Sequence, residues 1–230
     1  MTTQSTLAQP HSEDYSRIEP LPDPPREPDA VRRKSLSTLD NTLGPHFVAF
    51  SDVLITGLIY VLIDEDDARE LAPDFIFARQ VGDPERVIRR NGYVISEAGK
   101  PPDLVLEVGS RSTGRRNYTV KRAGYAALGI GEYWRFDPSG GDYHDRHLAG
   151  DTLVDGEYVP VEIAVEPDGR RWGYSEVLEL ELWWEEGTLR FQDPANRQFL
   201  LTPEEERAAR KLPRLVPELR KLAWPSWKRN

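Results

Sequence analysis

The chain has 230 residues, of which 38% are hydrophobic and 30% charged, and it contains no cysteine. That length suits one sizeable domain with tails. The missing thiols exclude disulfides, thiolate zinc sites, iron–sulfur clusters and a cysteine nucleophile. The formal charge is −9, which taken globally argues against a nucleic-acid binder, yet ten basic and only five acidic residues lie between Arg79 and Arg122. A local basic patch on an acidic protein can still steer a polyanion.

Residues 1–30 hold six prolines and few apolar side chains, and read as a disordered or surface-draped arm. The first 17 residues carry no apolar run, so no secretory leader is expected. The most apolar window, Phe47–Ile63, is interrupted by Ser51, Asp52, Thr56 and Gly57 and is too short for a membrane span. A soluble, cytoplasmic protein without membrane contact is the expectation.

AVRRKSLSTLDNTL from Ala30 predicts a short helix, and Val53–Ile63 one or two strands. LAPDFIFAR predicts a strand starting near Pro73, GDPER a loop, and PPDLVLEV a central strand covered on both faces. GSRSTGRRN reads as a loop, with Asn117 capping a helix that runs from Tyr118 to about Leu128 and ends at Gly129. EYWRFDP is a third strand, which makes a βαβ unit. From Tyr143 to Leu200, turn signals at VDGEY, PDGRR and EEGTL predict hairpins. Residues 203–222 predict a polar helix broken by Pro213 and Pro217. The division is an arm over 1–30, a domain over 31–200 and a helical tail over 201–230.

Three features converge on chemistry. Asp74 follows Pro73 at a strand start. Glu107 ends the run Asp103-Leu-Val-Leu-Glu107 on the next long strand, and Lys121 lies on the helix after it. Alternation puts Asp103, Val105 and Glu107 on one side of a regular strand. A carboxylate among Leu106 and Val108 is expensive unless it is paired or bound to a cation. Two acids from neighbouring strands are the usual protein share of a Mg²⁺ site, with waters and phosphate oxygens completing the octahedron. Lys121 can orient a water and offset charge on a phosphate, with Tyr125 four residues on sharing its face. Arg111, Arg115 and Arg116 lie between acid and lysine and suit phosphate contact. Asp103, after two prolines, reads first as a turn cap and second as a supporting acid.

PDLVLEVGSRST…RRNYTVKRAGYAALGIGEYWRFDP resembles the Uma-two family of endonucleases, within the restriction-endonuclease-like PD-(D/E)XK superfamily. The resemblance runs from about Phe47 to about Leu200. It implies an α/β fold: a mixed central sheet flanked by helices, to which this chain adds a C-terminal antiparallel hairpin region. It also implies metal-dependent phosphodiester cleavage by in-line attack of water, with Mg²⁺ (Mn²⁺ as the alternative) as cofactor and DNA as the foremost nucleic-acid partner. By position Asp74 and Glu107 match the metal-binding acids. The superfamily's lysine two residues after the second acid is replaced by Gly109, and Lys121 matches a lysine supplied from the helix; Gly109 is expected to leave room for it. Ser110-Arg111 stands where the family often has Ser-Pro, and Asn117 where it often has aspartate. Superfamily members often dimerise, and a homodimer is left open here.

Other readings are weighed beside these. His144 and His147 in YHDRH follow Gly140-Gly141-Asp142 and read as surface residues of a hairpin. Gly129-Ile-Gly131 follows a helix and is no dinucleotide fingerprint. Ser110 and Ser112 lack a local histidine base. Trp172, Trp183 and Trp184 fit a core or a dimer interface. The competing function is a catalytically inactive module that keeps the fold and binds nucleic acid or protein. A sugar hydrolase using the acid pair has no further support.

Overall fold

The computed structural model describes residues 18–24, 30–65, 67 and 71–211. Helix α1 (Ala30–Phe47) is followed by β1 (Leu54–Thr56), β2 (Tyr60–Leu62), β3 (Phe75–Ala78), α2 (Pro84–Arg90), β4 (Gly92–Val94), α3 (Ile95–Ala98) and β5 (Leu104–Val108). Gly114–Arg116, a π-helical stretch Asn117–Lys121, and Arg122–Ala127 then follow without a break and are together called α4. The remaining elements are β6 (Glu132–Phe136), β7 (Leu148–Val154), β8 (Glu157–Pro160), β9 (Ala164–Val165), β10 (Arg171–Ser175), β11 (Leu180–Glu185), β12 (Thr188–Asp193), β13 (Gln198–Phe199) and α5 (Pro203–Lys211).

The central sheet has six strands in the order β1-β3-β5-β6-β7-β8. β5 and β6 are parallel and joined through α4, as the βαβ reading expects, and the other pairings are antiparallel. The sheet is therefore mixed, with helices against it. Of the expected hairpins, the one at VDGEY is β7–β8 and extends the central sheet, while those at PDGRR and EEGTL belong to a separate five-stranded antiparallel sheet, β13-β12-β11-β10-β9. No helix among the described residues is long and apolar enough to cross a membrane.

The central strands divide their side chains by parity. Phe75, Phe77, Leu104, Leu106, Trp134 and Phe136 pack on one side with Leu182 and Phe191 of the second sheet and with Leu39 and Leu43 of α1. Ile76, Val105 and Tyr133 pack on the other side with Tyr125 of α4 and Tyr93 of β4. The β5–β6 register sets Glu107 beside Arg135, so this second side also carries charge at the C-terminal end of the parallel pair. Open α/β sheets place their sites at that end.

Two local expectations change and a third is resolved. GDPER is not a loop: Asp83 caps α2 by accepting the Arg86 amide at 3.0 Å, and Pro84 occupies the first turn, where its missing N–H is harmless. Asn117 is not an N-cap; α4 begins at Gly114, and Asn117 is buried within it. Val53–Ile63 supplies two short strands in different sheets, divided at Leu58, whose φ is 61°. Of the proline-rich arm, residues 18–24 lie along the end of α2, with the Leu21 amide on the Arg90 carbonyl at 2.8 Å. Pro213 and Pro217 lie outside the described residues.

Candidate active site

β5 carries Glu107 into the interior with no solvent exposure. α4 crosses above it, and its residues 117, 121 and 125 recur every four positions along one face. Lys121 Nζ and Tyr125 Oη both donate to Glu107 Oε1 at 2.6 Å. Glu107 Oε2 has no hydrogen-bond partner among the described residues. Burial raises the Glu107 pKa above the ordinary glutamate value; Lys121 opposes this, and the charge of Asp74 adds to it. Burial and the Glu107 charge likewise hold Tyr125 well above the usual tyrosine range, so its hydroxyl remains a donor.

Asp74 precedes β3. Its ladder with β5 ends at Phe75↔Leu106, so one further step sets Asp74 opposite Glu107. Asp74 Oδ2 instead accepts the Val108 amide at 2.8 Å, taking over where the backbone ladder stops. Asp74 Oδ1 accepts from Arg32 of α1, through Nε at 2.8 Å and through Nη2. The charge of Asp74 raises the pKa of Glu107, Tyr125 and Tyr133 alike, all of them on the α4 side of the sheet. The two acids are thus brought together at one place.

The Glu107 oxygen without a partner suits a divalent cation, whereas both Asp74 oxygens are engaged, by Arg32 and by the Val108 amide. Among the described residues no group of three or more His, Asp or Glu side chains is placed to hold an ion. Asp74 and Glu107 are the two carboxylates at this place, and one or two carboxylates are what Mg²⁺ commonly takes from a protein.

Two residues of the site escape the sequence reading. Arg32 meets Asp74 across 42 positions. His144, expected at the surface, is buried with 4% exposure, and Asn117 Nδ2 lies 2.9 Å from its Nε2. The loop after β6 is wound on Asp137, which accepts from the Ser139, Gly141, Tyr143 and His144 amides. Its backbone then lies directly on the start of α4. A Cβ at Gly114 would fall 1.7 Å from the Tyr143 carbonyl oxygen, so only glycine allows the approach. Gly114 is the sequence signal that could have placed His144 inside.

The space at Gly109 is also taken differently from expectation. A Cβ there would meet the His144 ring at 3.3 Å, so the glycine makes room for His144 and not for Lys121. Burial first, then Arg135 and Lys121, lower the His144 pKa to about 4, against the opposing pull of Asp137 and Asp145. The ring is neutral at pH 7.

The other expected residues separate. Asp103 stands four residues before Glu107, about 13 Å along the strand. It accepts from Lys100 Nζ at 2.6 Å and from the Arg79 amide at 2.7 Å, which fixes the far end of β5 and makes the cap reading the better one. Arg111, Arg115 and Arg116 are exposed around the turn into α4. Trp183 is buried and stacks on Trp172 at 5.6 Å, whereas Trp184 donates to the Asp137 carbonyl at 2.8 Å.

A mixed sheet with a buried acid, lysine and tyrosine cluster at the end of its parallel pair, under a helix that opens with exposed arginines, has the arrangement of a restriction-endonuclease-like protein. The family model for Uma2, described as "Putative restriction endonuclease", matches residues 22–190, and the chain belongs to that family. Among solved structures, the chain is similar to a protein from Anabaena variabilis titled a putative nuclease belonging to DUF820. The two are 13% identical with a TM-score of 0.40, over 64% of this chain and 77% of the other. No curated protein matches.

Proposed function

We propose that the chain is a metal-dependent endonuclease that hydrolyses phosphodiester bonds of nucleic acid, with DNA as the foremost substrate. Membership of a nuclease family supports the reaction class. The observation that carries the reading to residues is the buried Glu107 carboxylate, with Lys121 and Tyr125 on one oxygen and nothing on the other. Asp74 and Glu107 would hold Mg²⁺, or Mn²⁺ in its place. The ion supplies Lewis-acid charge to the phosphate and lowers the pKa of water.

The chain's own groups do the rest. Tyr125 and Lys121 fix the Glu107 carboxylate in one orientation, leaving Oε2 to face the reacting centre. Lys121 keeps N–H bonds beyond the one it gives to Glu107, and these can orient the attacking water or offset charge on the phosphate oxygens. Arg111, Arg115 and Arg116 contact the backbone of the strand. The tight packing of α4 over Glu107 keeps bulk water from the carboxylate.

One observation favours the second reading, a non-cleaving binding module: both Asp74 oxygens already have partners within the chain. The two readings separate in one assay. Supercoiled plasmid and single-stranded DNA are incubated with the protein in Mg²⁺ or Mn²⁺, with Glu107→Ala and Lys121→Ala alongside. Metal-dependent nicking lost in both variants supports the enzyme. Salt-sensitive binding without nicking supports the module and overturns the enzyme.

A further inference from the structure

One strand over from Glu107 lies a cavity of about 440 Å³ that the proposed cleavage chemistry does not use. Its lining includes Arg122, Arg135 and Arg146 with Asp145 and Asp151, and also Tyr118, Val161 and Ile163. Arg122 grips both oxygens of Asp151, at 3.1 and 2.7 Å. Arg135 Nη1 also lies 3.2 Å from Asp151 Oδ2, so one carboxylate serves two guanidinium groups. Arg135 is 6% exposed; its Nη1 is engaged by Asp151, and its Nε has no hydrogen-bond partner among the described residues. A buried guanidinium with an open Nε–H calls for an acceptor, and a phosphate oxygen can supply it. Arg146 stands exposed at the rim as a third cation.

We infer that this cavity is a nucleotide subsite. Arg135 and Arg146 hold a phosphate, with Arg122 behind them, and the adjoining sugar and base lie against Tyr118, Val161 and Ile163. The volume lies within the range of small-molecule sites and exceeds what a bare anion needs, and the apolar side chains in the lining give a base a surface to rest on. Paired strands lie about 4.8 Å apart, so a phosphate on Arg135 would be a near neighbour of one at Glu107. That the nucleotide belongs to the strand being cut rests on the nuclease reading; its binding in the cavity does not.

The test is calorimetric titration of the full chain carrying Glu107→Gln, in chelator, with thymidine 5′-monophosphate, inorganic phosphate and thymidine. The monophosphate should bind more tightly than either fragment. Arg146→Glu, an exposed change that leaves folding intact, should weaken it about tenfold, and Arg135→Gln at least as much. No binding, phosphate binding as tight as nucleotide binding, or binding within twofold in Arg146→Glu would overturn the subsite. With Glu107 restored, Arg146→Glu should raise the KM for an oligonucleotide more than it lowers kcat. If the titration behaves as expected and no cleavage is found, the nuclease reading falls and the subsite stands. If cleavage is found and the titrations are flat, the reverse holds.

Discussion

Two buried glutamates stand on opposite sides of the same sheet and lead opposite lives. Glu132, at the start of β6, faces the second sheet and is fully partnered: Trp134 Nε1 at 2.8 Å, Ser175 Oγ at 2.6 Å and the Val177 amide at 3.1 Å. Glu107, at the end of β5, faces α4 with two donors on one oxygen and none on the other. Burial is equally severe for both, at 2% and 0% exposure. A satisfied carboxylate joins two sheets, whereas a half-satisfied one keeps a lone pair open, and the proposed metal site rests on that lone pair.

The strongest way to break that contrast is to remove each charge. Glu107→Gln should cut metal-dependent cleavage per folded molecule by about 10³-fold or more, and it also leaves Lys121 without its charge partner, a loss of about 3 kcal/mol in urea unfolding. Glu132→Gln should cost about 1–3 kcal/mol in urea unfolding and leave cleavage per folded molecule unchanged. Equal effects on activity would erase the distinction.

Lys121→Met should reduce cleavage about 10²-fold, with Lys121→Arg recovering part of it, as measured by initial rates on plasmid. The next effect is on stability. His144 is held neutral with a pKa near 4, below the ordinary 6.5. The unfolded chain therefore takes up a proton before the folded chain does, and stability is lost as pH falls from about 6.5 to about 4. The full loss is about 3 kcal/mol. Urea unfolding of the parent should show that slope, and His144→Gln should flatten it. The smallest effect is expected at Arg32. Arg32→Gln releases Asp74 from its guanidinium and should raise Mn²⁺ affinity by up to about tenfold by calorimetry; weaker binding would make Arg32 part of the site and not a competitor for it.

The side of the sheet that carries Glu132 was the easier to read. Runs such as LVLEV and EYWRF follow from apolar content and β-branched residues, and the parallel β5–β6 pair follows from the intervening helix. Glu107 was legible because a charge inside such a run has to be accounted for. Lys121 and Tyr125 were legible from their spacing of four and their family pattern, not from the helix alone. Arg32 was not, because nothing local ties α1 to Asp74. His144 was misread because the glycines around it signal a turn, and a turn says nothing about what it folds onto; the deciding residue, Gly114, lies thirty positions earlier. Asn117 has a residue type that favours a cap, yet it lies inside the helix against His144.

The most direct test of the central claim is Mn²⁺ uptake by the intact chain, followed by calorimetry for the parent, Asp74→Asn and Glu107→Gln. The account predicts saturable binding in the parent that is lost in Glu107→Gln and sharply weakened in Asp74→Asn. No uptake by the parent, or the same uptake with Glu107 replaced, would contradict it.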